Sequence, residues 1–316
     1  MPRRSCHQPT NLPRGCDTAS RAPQLVARPT IGAVPIVDEL PYSPWRERGA
    51  VVDGEFRWRL GLRPLDPAEW FEFGADADGW IAEKALLFAS RRSTVFAVLD
   101  DIGPESCEVA AAVAAHLEWR HPERSCEVDG SQHPLEAASR LVPDDFVLMV
   151  ERDGRLVCGG GSVCFPNRWD LRSKLGLTMS EVHRPVSNLN EQLAPAVDRF
   201  LDRLTPDRSF WRLGWGVIDV SDGYTPADGT GALRPAEPAA DRLFVRVERE
   251  TLRRFAATNC VLFTIRTYIA PISSVMGDAE SSAALGAAVA AMSPEILHYK
   301  DLVQHAEPLS QALATP

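Results

Sequence analysis

A single cation inside an apolar run constrains the fold of this chain most strongly. Residues 260–269 are rich in β-branched and aromatic side chains, and Asn259 and Pro271 flank them, which is typical of a buried β-strand. Arg266 lies within this run. Burying a guanidinium costs free energy unless an anion meets it. We therefore expect a carboxylate or an anionic ligand beside this strand.

The order of apolar patterns indicates an α+β fold. A helical period runs through residues 80–99, 105–119, 134–142 and 190–204, whereas strand-like runs cover residues 146–150, 155–165, 213–220, 243–247 and 260–269. Asp153-Gly154 predicts a tight hairpin, and Gly159-Gly160-Gly161 predicts a bulge or a close approach of backbone to a ligand. This order favours a PAS-like five-stranded antiparallel sheet with helices on one face, an N-terminal helical extension and C-terminal helices.

Composition limits the classes of function and the domain layout. The net charge is −9, with +4 concentrated in residues 1–35, so a general nucleic-acid binder is not expected. We predict a disordered basic tail at 1–35, one domain at 36–275 and a helical segment at 276–316. No apolar stretch is long enough to span a membrane. The seven cysteines form no CxxC pair, which favours a reducing, cytoplasmic setting.

His183 is the strongest candidate metal ligand. It follows a short helical segment and precedes the helix predicted at 190–204, in mixed apolar and basic surroundings. A neutral imidazole there suits the iron of a non-covalently bound haem. The alternative interpretation is a helix-terminal histidine that interacts with the helix dipole.

Arginines near the strand-like runs suggest a site for a dicarboxylate. Arg246 and Arg266 each alternate with apolar neighbours, so one face of a sheet could present both to one pocket, with Arg168 nearby. Haem propionates are such a dicarboxylate. Glu248 lies two residues from Arg246 on the same predicted strand face, so an arginine–glutamate pair within the protein is the competing interpretation.

Several segments, in order from about residue 55 to about residue 300, resemble one family, the haem-dependent oxidative N-demethylase family, α subunit. The matching segments are residues 60–66 (LGLRPLD), 133–135 (HPL), 161–169 (GSVCFPNRW), 182–186 (VHRPV), 193–200 (LAPAVDRF), 246–249 (RVER) and 263–268 (FTIRTY).

The resemblance implies a haem-binding PAS-type fold that works as an enzyme, with NADPH-dependent oxidation of dimethylamine by O₂ as the family activity. It implies non-covalent haem b on this chain, and FMN, a 2Fe-2S cluster and tetrahydrofolate on partner subunits, including a flavin/iron–sulfur reductase. By the same resemblance, His183 is the axial haem ligand. The other implied roles are cofactor binding for Arg246, Arg266 and Arg168, and catalysis for Arg266, Glu248, Trp215 and Tyr268.

Two departures from the family pattern put the substrate in question. Residues 213–216 read Leu-Gly-Trp-Gly where the family has a bulkier sequence, and Glu250 stands where glutamine is expected. Another amine is therefore an alternative to dimethylamine. A haem-PAS gas or redox sensor is the alternative function, and a haem-free binding subunit, in which Arg266 pairs with Glu248, is the third interpretation.

Overall fold

A computed structural model describes residues 34–47, 50–124, 126–186, 188–227 and 240–314. The predicted basic tail at 1–35 lies outside the described residues except for its last two positions, so its disorder stays a prediction. No helix in the described part of the chain is long and apolar enough to cross a membrane.

Most of the described strands form one antiparallel sheet. The strands are β1 (Val51–Val52), β2 (Glu55–Phe56), β3 (Arg63–Pro64), β4 (Phe96–Val98), β5 (Asp145–Arg152), β6 (Arg155–Ser162), β7 (Phe210–Ile218), β8 (Phe244–Arg254) and β9 (Val261–Pro271). β1 and β2 pair separately, and the other seven follow the order β3-β7-β8-β9-β5-β6-β4. The predicted α+β class with an antiparallel sheet is confirmed.

The predicted number of five strands is wrong because two short strands extend the edges. β3 lies in a segment without a clear sequence period, and β4 occupies the end of the pattern that predicted a helix over 80–99. The chain becomes extended at Phe96 (φ −132°, ψ 128°), directly after Thr94 and Val95, whose β-branched side chains favour strands.

The helices of the described residues are α1 (Ala77–Val95), α2 (Gly103–Arg120), α3 (Pro134–Ser139), α4 (Met179–Val182), α5 (Leu189–Arg203), α6 (Ser273–Met276), α7 (Ala279–Ala290), α8 (Pro294–Tyr299) and α9 (Ala306–Ala314). The predicted helices at 105–119, 134–142 and 190–204 correspond to α2, α3 and α5. α7, α8 and α9 share an apolar core with Val245 and Val247 of β8.

The two faces of the sheet differ, because neighbouring residues of a strand point to opposite sides. On the side that we call the α1 face, Arg249 of β8 is in register with Arg266 of β9, and α1 to α3 cover the apolar positions. On the other side, the cavity face, Gly216 of β7 is in register with Arg246 of β8, and α4 and α5 contribute to the core. The predicted packing of helices on one face is wrong, since apolar positions on both faces require cover.

The predicted hairpin turn and the predicted bulge both form at glycine residues. Asp153 and Gly154 connect β5 to β6 with φ values of 51° and 72°, which is the geometry of a two-residue hairpin turn. Farther along β6, the register with β5 shifts between Leu148 and Met149, opposite the three glycines. A Cβ atom on Gly161 would lie 2.3 Å from the carbonyl oxygen of Phe146. The predicted bulge is therefore confirmed, and the close approach is to backbone of the same sheet.

Candidate functional site

An open gap lies over the middle of β7. This strand has glycine at two alternate positions, Gly214 and Gly216, which both belong to the cavity face. A Cβ atom on Gly216 would meet no atom within 4 Å. The cavity face therefore has free space at Gly216, whereas the space at Gly214 is bordered by carboxylates of β8.

α5 is an amphipathic helix whose apolar residues are not fully covered. Leu189, Leu193 and Val197 are only half-buried, although the helix keeps a clear apolar period. Near its C-terminal end Phe200 meets Phe210 of β7 edge-on, with ring centroids 5.2 Å apart. Incompletely buried apolar residues on an element that contacts the cavity face are typical of a site for an apolar ligand.

His183 directly follows the short helix α4. A capping box begins this helix, since Thr178 and Glu181 hydrogen-bond to each other's backbone N–H groups. Burial, followed by the nearby Arg212 guanidinium and the Lys174 ammonium, lowers the pKa of His183 to about 4. The imidazole is therefore neutral at physiological pH, which is the form that binds iron.

Arg246 on the cavity face has one unused donor group. Its side chain is 2% exposed, and its Nε donates to Glu248 Oε1 at 2.7 Å. Its Nη2 donates to the carbonyl oxygen of Phe165 at 2.5 Å and to Thr267 Oγ1 at 3.1 Å. Its Nη1 is buried without a hydrogen-bond partner. A buried unsatisfied guanidinium nitrogen can bind an anionic group of a ligand.

Two carboxylates of β8 lie beside Gly214. A Cβ atom at Gly214 would be 2.7 Å from Glu250 Oε1 and 3.4 Å from Glu248 Oε2. Glu250 is 9% exposed, and burial, with a smaller contribution from Glu248, raises its pKa to about 7 against the opposing effect of Arg212. One of the two carboxyl groups therefore changes protonation near neutral pH.

Two cations at this site were missed by the sequence interpretation. Arg212 Nε of β7 lies 3.2 Å from Glu250 Oε2. Lys300, which follows α8, donates to the carbonyl oxygen of Trp215 at 3.0 Å, and burial lowers its pKa to about 8. Positions 212, 214 and 216 of β7 lie opposite positions 250, 248 and 246 of β8. This alternation would have identified Arg212 as a neighbour of Glu250, whereas no sequence signal places Lys300 at the site.

Arg266 meets a carboxylate, as its buried strand predicted, but the partner is Asp76 and not Glu248. Its side chain is fully buried, and Nη2 lies 2.5 Å from Asp76 Oδ2, just before α1. The register with Arg249 places it on the α1 face. The prediction that Arg246 and Arg266 reach one pocket is therefore wrong. Roles for Arg266 in catalysis or propionate binding stay predictions that no contact supports.

Tyr268 and Trp215 also lie away from the cavity face. Tyr268 donates a hydrogen bond to Glu72 Oε2 at 2.6 Å and lies against Arg266 on the α1 face. Trp215 is in register with Val247 and meets Trp45 edge-on, with ring centroids 6.0 Å apart. Their predicted catalytic roles are untested, and both side chains already belong to packed clusters.

Arg168 is held by two carboxylates. Its Nη1 lies 2.5 Å from Asp301 Oδ2 and its Nη2 lies 2.7 Å from Asp219 Oδ1. A propionate would have to compete with both aspartates for this guanidinium. Its predicted role in cofactor binding is untested.

The sequence-predicted residues that share the cavity side of the sheet are therefore His183, Arg246 and Glu248. Their chemistry combines a neutral imidazole, a guanidinium with a free donor and a carboxylate, and the open space at Gly216 is on the same side of the sheet. A flat, largely apolar group with a metal centre and anionic substituents fits this donor set.

Comparison with known protein families gives a match over most of the chain. The model of a family described as haem-dependent oxidative N-demethylase, alpha subunit-like, matches residues 61–310. These residues include the whole seven-stranded sheet and every residue of the candidate site.

Proposed function

The chain belongs to the haem-dependent oxidative N-demethylase α-subunit-like family, and we propose that it is a haem-dependent oxidoreductase that oxidatively demethylates a small amine. The observation that carries this proposal is the neutral His183, whose pKa is lowered in part by Arg212 of the cavity face, on a sheet with open space at Gly216. Dimethylamine is the first substrate to test.

His183 would be the axial ligand of non-covalently bound haem b. The open space at Gly216 and the half-buried apolar residues of α5 suit the macrocycle, and the free Nη1 of Arg246 suits a propionate. When bound, haem supplies the one-electron and dioxygen chemistry that amino-acid side chains do not provide. The low pKa of His183 keeps its ring available for iron across the physiological range.

Glu248 would hold the ammonium group of the substrate. Its Oε1 is bonded to Arg246, and its Oε2 is directed towards Gly214, where no side chain intervenes. A carboxylate placed beside a gap attracts a cationic amine and fixes the orientation of its N–H bonds.

We further propose that β5 to β9 form a PAS-type core within the larger sheet. These five strands are adjacent, in the order β7-β8-β9-β5-β6, with α4 and α5 between β6 and β7 in sequence. The reductase that carries FMN and a 2Fe-2S cluster, and the tetrahydrofolate-binding subunit, would be separate chains. We propose a cytoplasmic location, where NADPH would be available to the reductase.

A turnover assay tests the proposed function. The full chain loaded with haem is given dimethylamine, O₂ and ascorbate with phenazine methosulfate as the electron donor. We expect amine-dependent formation of formaldehyde and methylamine. His183→Ala and the haem-free chain should form neither.

The same assay distinguishes the sensor alternative. A haem protein that binds O₂ reversibly but oxidises none of a panel of small methylated amines would contradict the enzyme and favour the sensor. A chain that takes up no haem would contradict both functions.

A further inference from the structure

Lysine is rare in this chain, and each lysine has a distinct setting. Among the 34 lysine and arginine residues, only Lys84, Lys174 and Lys300 are lysine. Lys84 is fully buried, and its ammonium group donates to three backbone carbonyl oxygens. Lys174 is half-buried, and no tryptophan ring lies over its ammonium group within the described residues. Lys300 differs from both, because two tryptophan rings enclose it.

The enclosure of Lys300 replaces the water that an exposed ammonium group would have. Lys300 Nζ lies 5.2 Å from the ring centroid of Trp58 and 5.3 Å from that of Trp215. Nζ donates to the carbonyl oxygen of Trp215 at 3.0 Å, on a part of β7 beyond its pairing with β3, which covers only Phe210 and Trp211. Burial among apolar rings disfavours the charged form of an amine, so a lysine in this setting loses its proton readily.

The amine of Lys300 also borders the open space of the cavity face. The carbonyl group that accepts its hydrogen bond belongs to the peptide bond between Trp215 and Gly216. A Cβ atom on Gly216 would meet no atom within 4 Å. Lys300, Trp58 and Trp215 are each half-buried, so the rings shield the amine without sealing it. A small molecule in the open space can therefore reach Nζ.

Charged groups of the neighbouring strands act on Lys300 as well. Glu248 of β8 favours the ammonium form, Arg212 of β7 opposes it, and Tyr299 lies near the same Glu248 carboxylate. Burial has the largest effect and lowers the pKa of Lys300 to about 8. At pH 7 the neutral fraction of such an amine is on the order of 10²-fold larger than that of an ordinary lysine, whose pKa is about 10.4.

A neutral lysine amine in an apolar enclosure is a nucleophile for carbonyl groups. We propose that Lys300 is a covalent binding site for a small aldehyde, and that its ligand is the formaldehyde formed in the proposed demethylation. The choice of formaldehyde rests on the proposed function, whereas the reactivity of the amine does not depend on it.

The covalent steps are an addition and a dehydration. The lone pair of Nζ forms a C–N bond to the carbonyl carbon, the C=O π bond breaks, and a proton moves from nitrogen to oxygen, which gives a carbinolamine. Protonation of its hydroxyl group and loss of water then give an iminium ion on Lys300. Neither step is a redox reaction, and the reverse steps release the aldehyde again.

Reductive trapping on the full, haem-free chain tests this proposal. The chain is incubated at pH 7 with ¹³C-formaldehyde and sodium cyanoborohydride, which converts a lysine iminium into a methylamine that peptide mass spectrometry locates. We expect Lys300 to be labelled about 10- to 100-fold faster than the half-buried Lys174, because its neutral fraction is larger. Lys84 should stay unlabelled. The α-amino group, with an ordinary pKa of about 8, is the internal standard.

Lys300→Arg separates the covalent role from a structural one. Arginine keeps the positive charge and a donor for the carbonyl oxygen of Trp215, but cyanoborohydride does not convert it to a methylamine. The variant should unfold at the wild-type temperature and carry no label at position 300. In a second experiment, wild type turns over ¹³C-dimethylamine with semicarbazide in solution, which removes released formaldehyde. Quenching with cyanoborohydride should still leave label on Lys300.

The outcomes distinguish the proposal from the proposed function. Equal labelling of Lys300 and Lys174 by added formaldehyde, or labelling of the α-amino group alone, would overturn the proposal. Label on Lys300 from added formaldehyde but none from a turnover that forms formaldehyde would overturn the choice of ligand. Wild type that oxidises no amine would overturn the proposed function, and the experiment with added formaldehyde would still decide whether Lys300 binds an aldehyde.

Discussion

Asp76→Ala should destabilise the protein by about 3–5 kcal/mol, the usual cost of removing one partner of a buried ion pair. Arg266 is fully buried, and Asp76 Oδ2 is the only carboxylate oxygen bonded to it within the described residues. The same oxygen accepts a hydrogen bond from Trp80 Nε1 at 3.0 Å. The variant would leave the guanidinium of Arg266 without its hydrogen-bonded carboxylate and the indole of Trp80 without an acceptor. Urea unfolding followed by circular dichroism measures the change.

Asp78 provides a matched control for this prediction. It lies two residues further along, in the first turn of α1, and pairs with Arg124 at 2.7 Å while remaining largely exposed. Asp78→Ala should cost less than about 1 kcal/mol, because exposed ion pairs contribute little. Replacing both members of the buried pair, as in Asp76→Leu with Arg266→Met, should recover much of the stability. Equal effects of Asp76→Ala and Asp78→Ala would contradict this account of Arg266.

Gly216→Leu should weaken haem binding while the protein stays folded. The added side chain would extend into the open space on the cavity face, where a Cβ atom meets no protein atom within 4 Å. Forcing extra volume into an occupied site costs about 1–3 kcal/mol, which corresponds to roughly a 5- to 150-fold loss of affinity. Titration with hemin, followed by absorption, measures the affinity, and thermal unfolding of the haem-free protein checks the fold.

Gly130→Leu is the control for added bulk. Gly130 lies in an exposed turn, and a Cβ atom there would also meet nothing within 4 Å. This variant should bind hemin as wild type does. If Gly216→Leu also bound hemin with unchanged affinity, the gap over β7 would not be the haem site.

Local sequence patterns predicted the elements on which the site is built. The apolar period over 190–204 gave α5, the Asp-Gly dipeptide gave the β5–β6 turn, and the run at 260–269 gave β9. Each of these signals depends on residues that are close in sequence. His183 was also identified locally, from its place between two helical segments.

The faces of the sheet could not be predicted in the same way. The side on which Arg266 lies depends on its register with Arg249 in another strand, and its partner Asp76 is 190 residues away in sequence. Apolar neighbours alone suggested that Arg246 and Arg266 share a pocket, because both alternate correctly within their own strands. Only the pairing of β8 with β9 separates them.

The polar centre of the site was partly visible in sequence. Glu248 was found because it lies two residues from Arg246, and Glu250 was noticed only as a departure from the family pattern. The surroundings of Glu250 depend on Gly214 and Arg212 of β7, which pairs with β8 in the sheet. Alternate polar residues on one strand opposite alternate glycines on the next are a weak signal in a single sequence, since glycine occurs in strands for several reasons.

Hemin titration of wild type and His183→Ala, followed by absorption spectroscopy, tests the central claim most directly. Wild type should develop a Soret band that saturates at one haem per chain, with the spectrum of a histidine-ligated iron. His183→Ala should lose that spectrum, and added imidazole should restore it, because the free ligand replaces the missing side chain. A wild-type protein without a saturable Soret band, or a variant with the wild-type spectrum, would contradict the assignment of His183 and the haem site built on it.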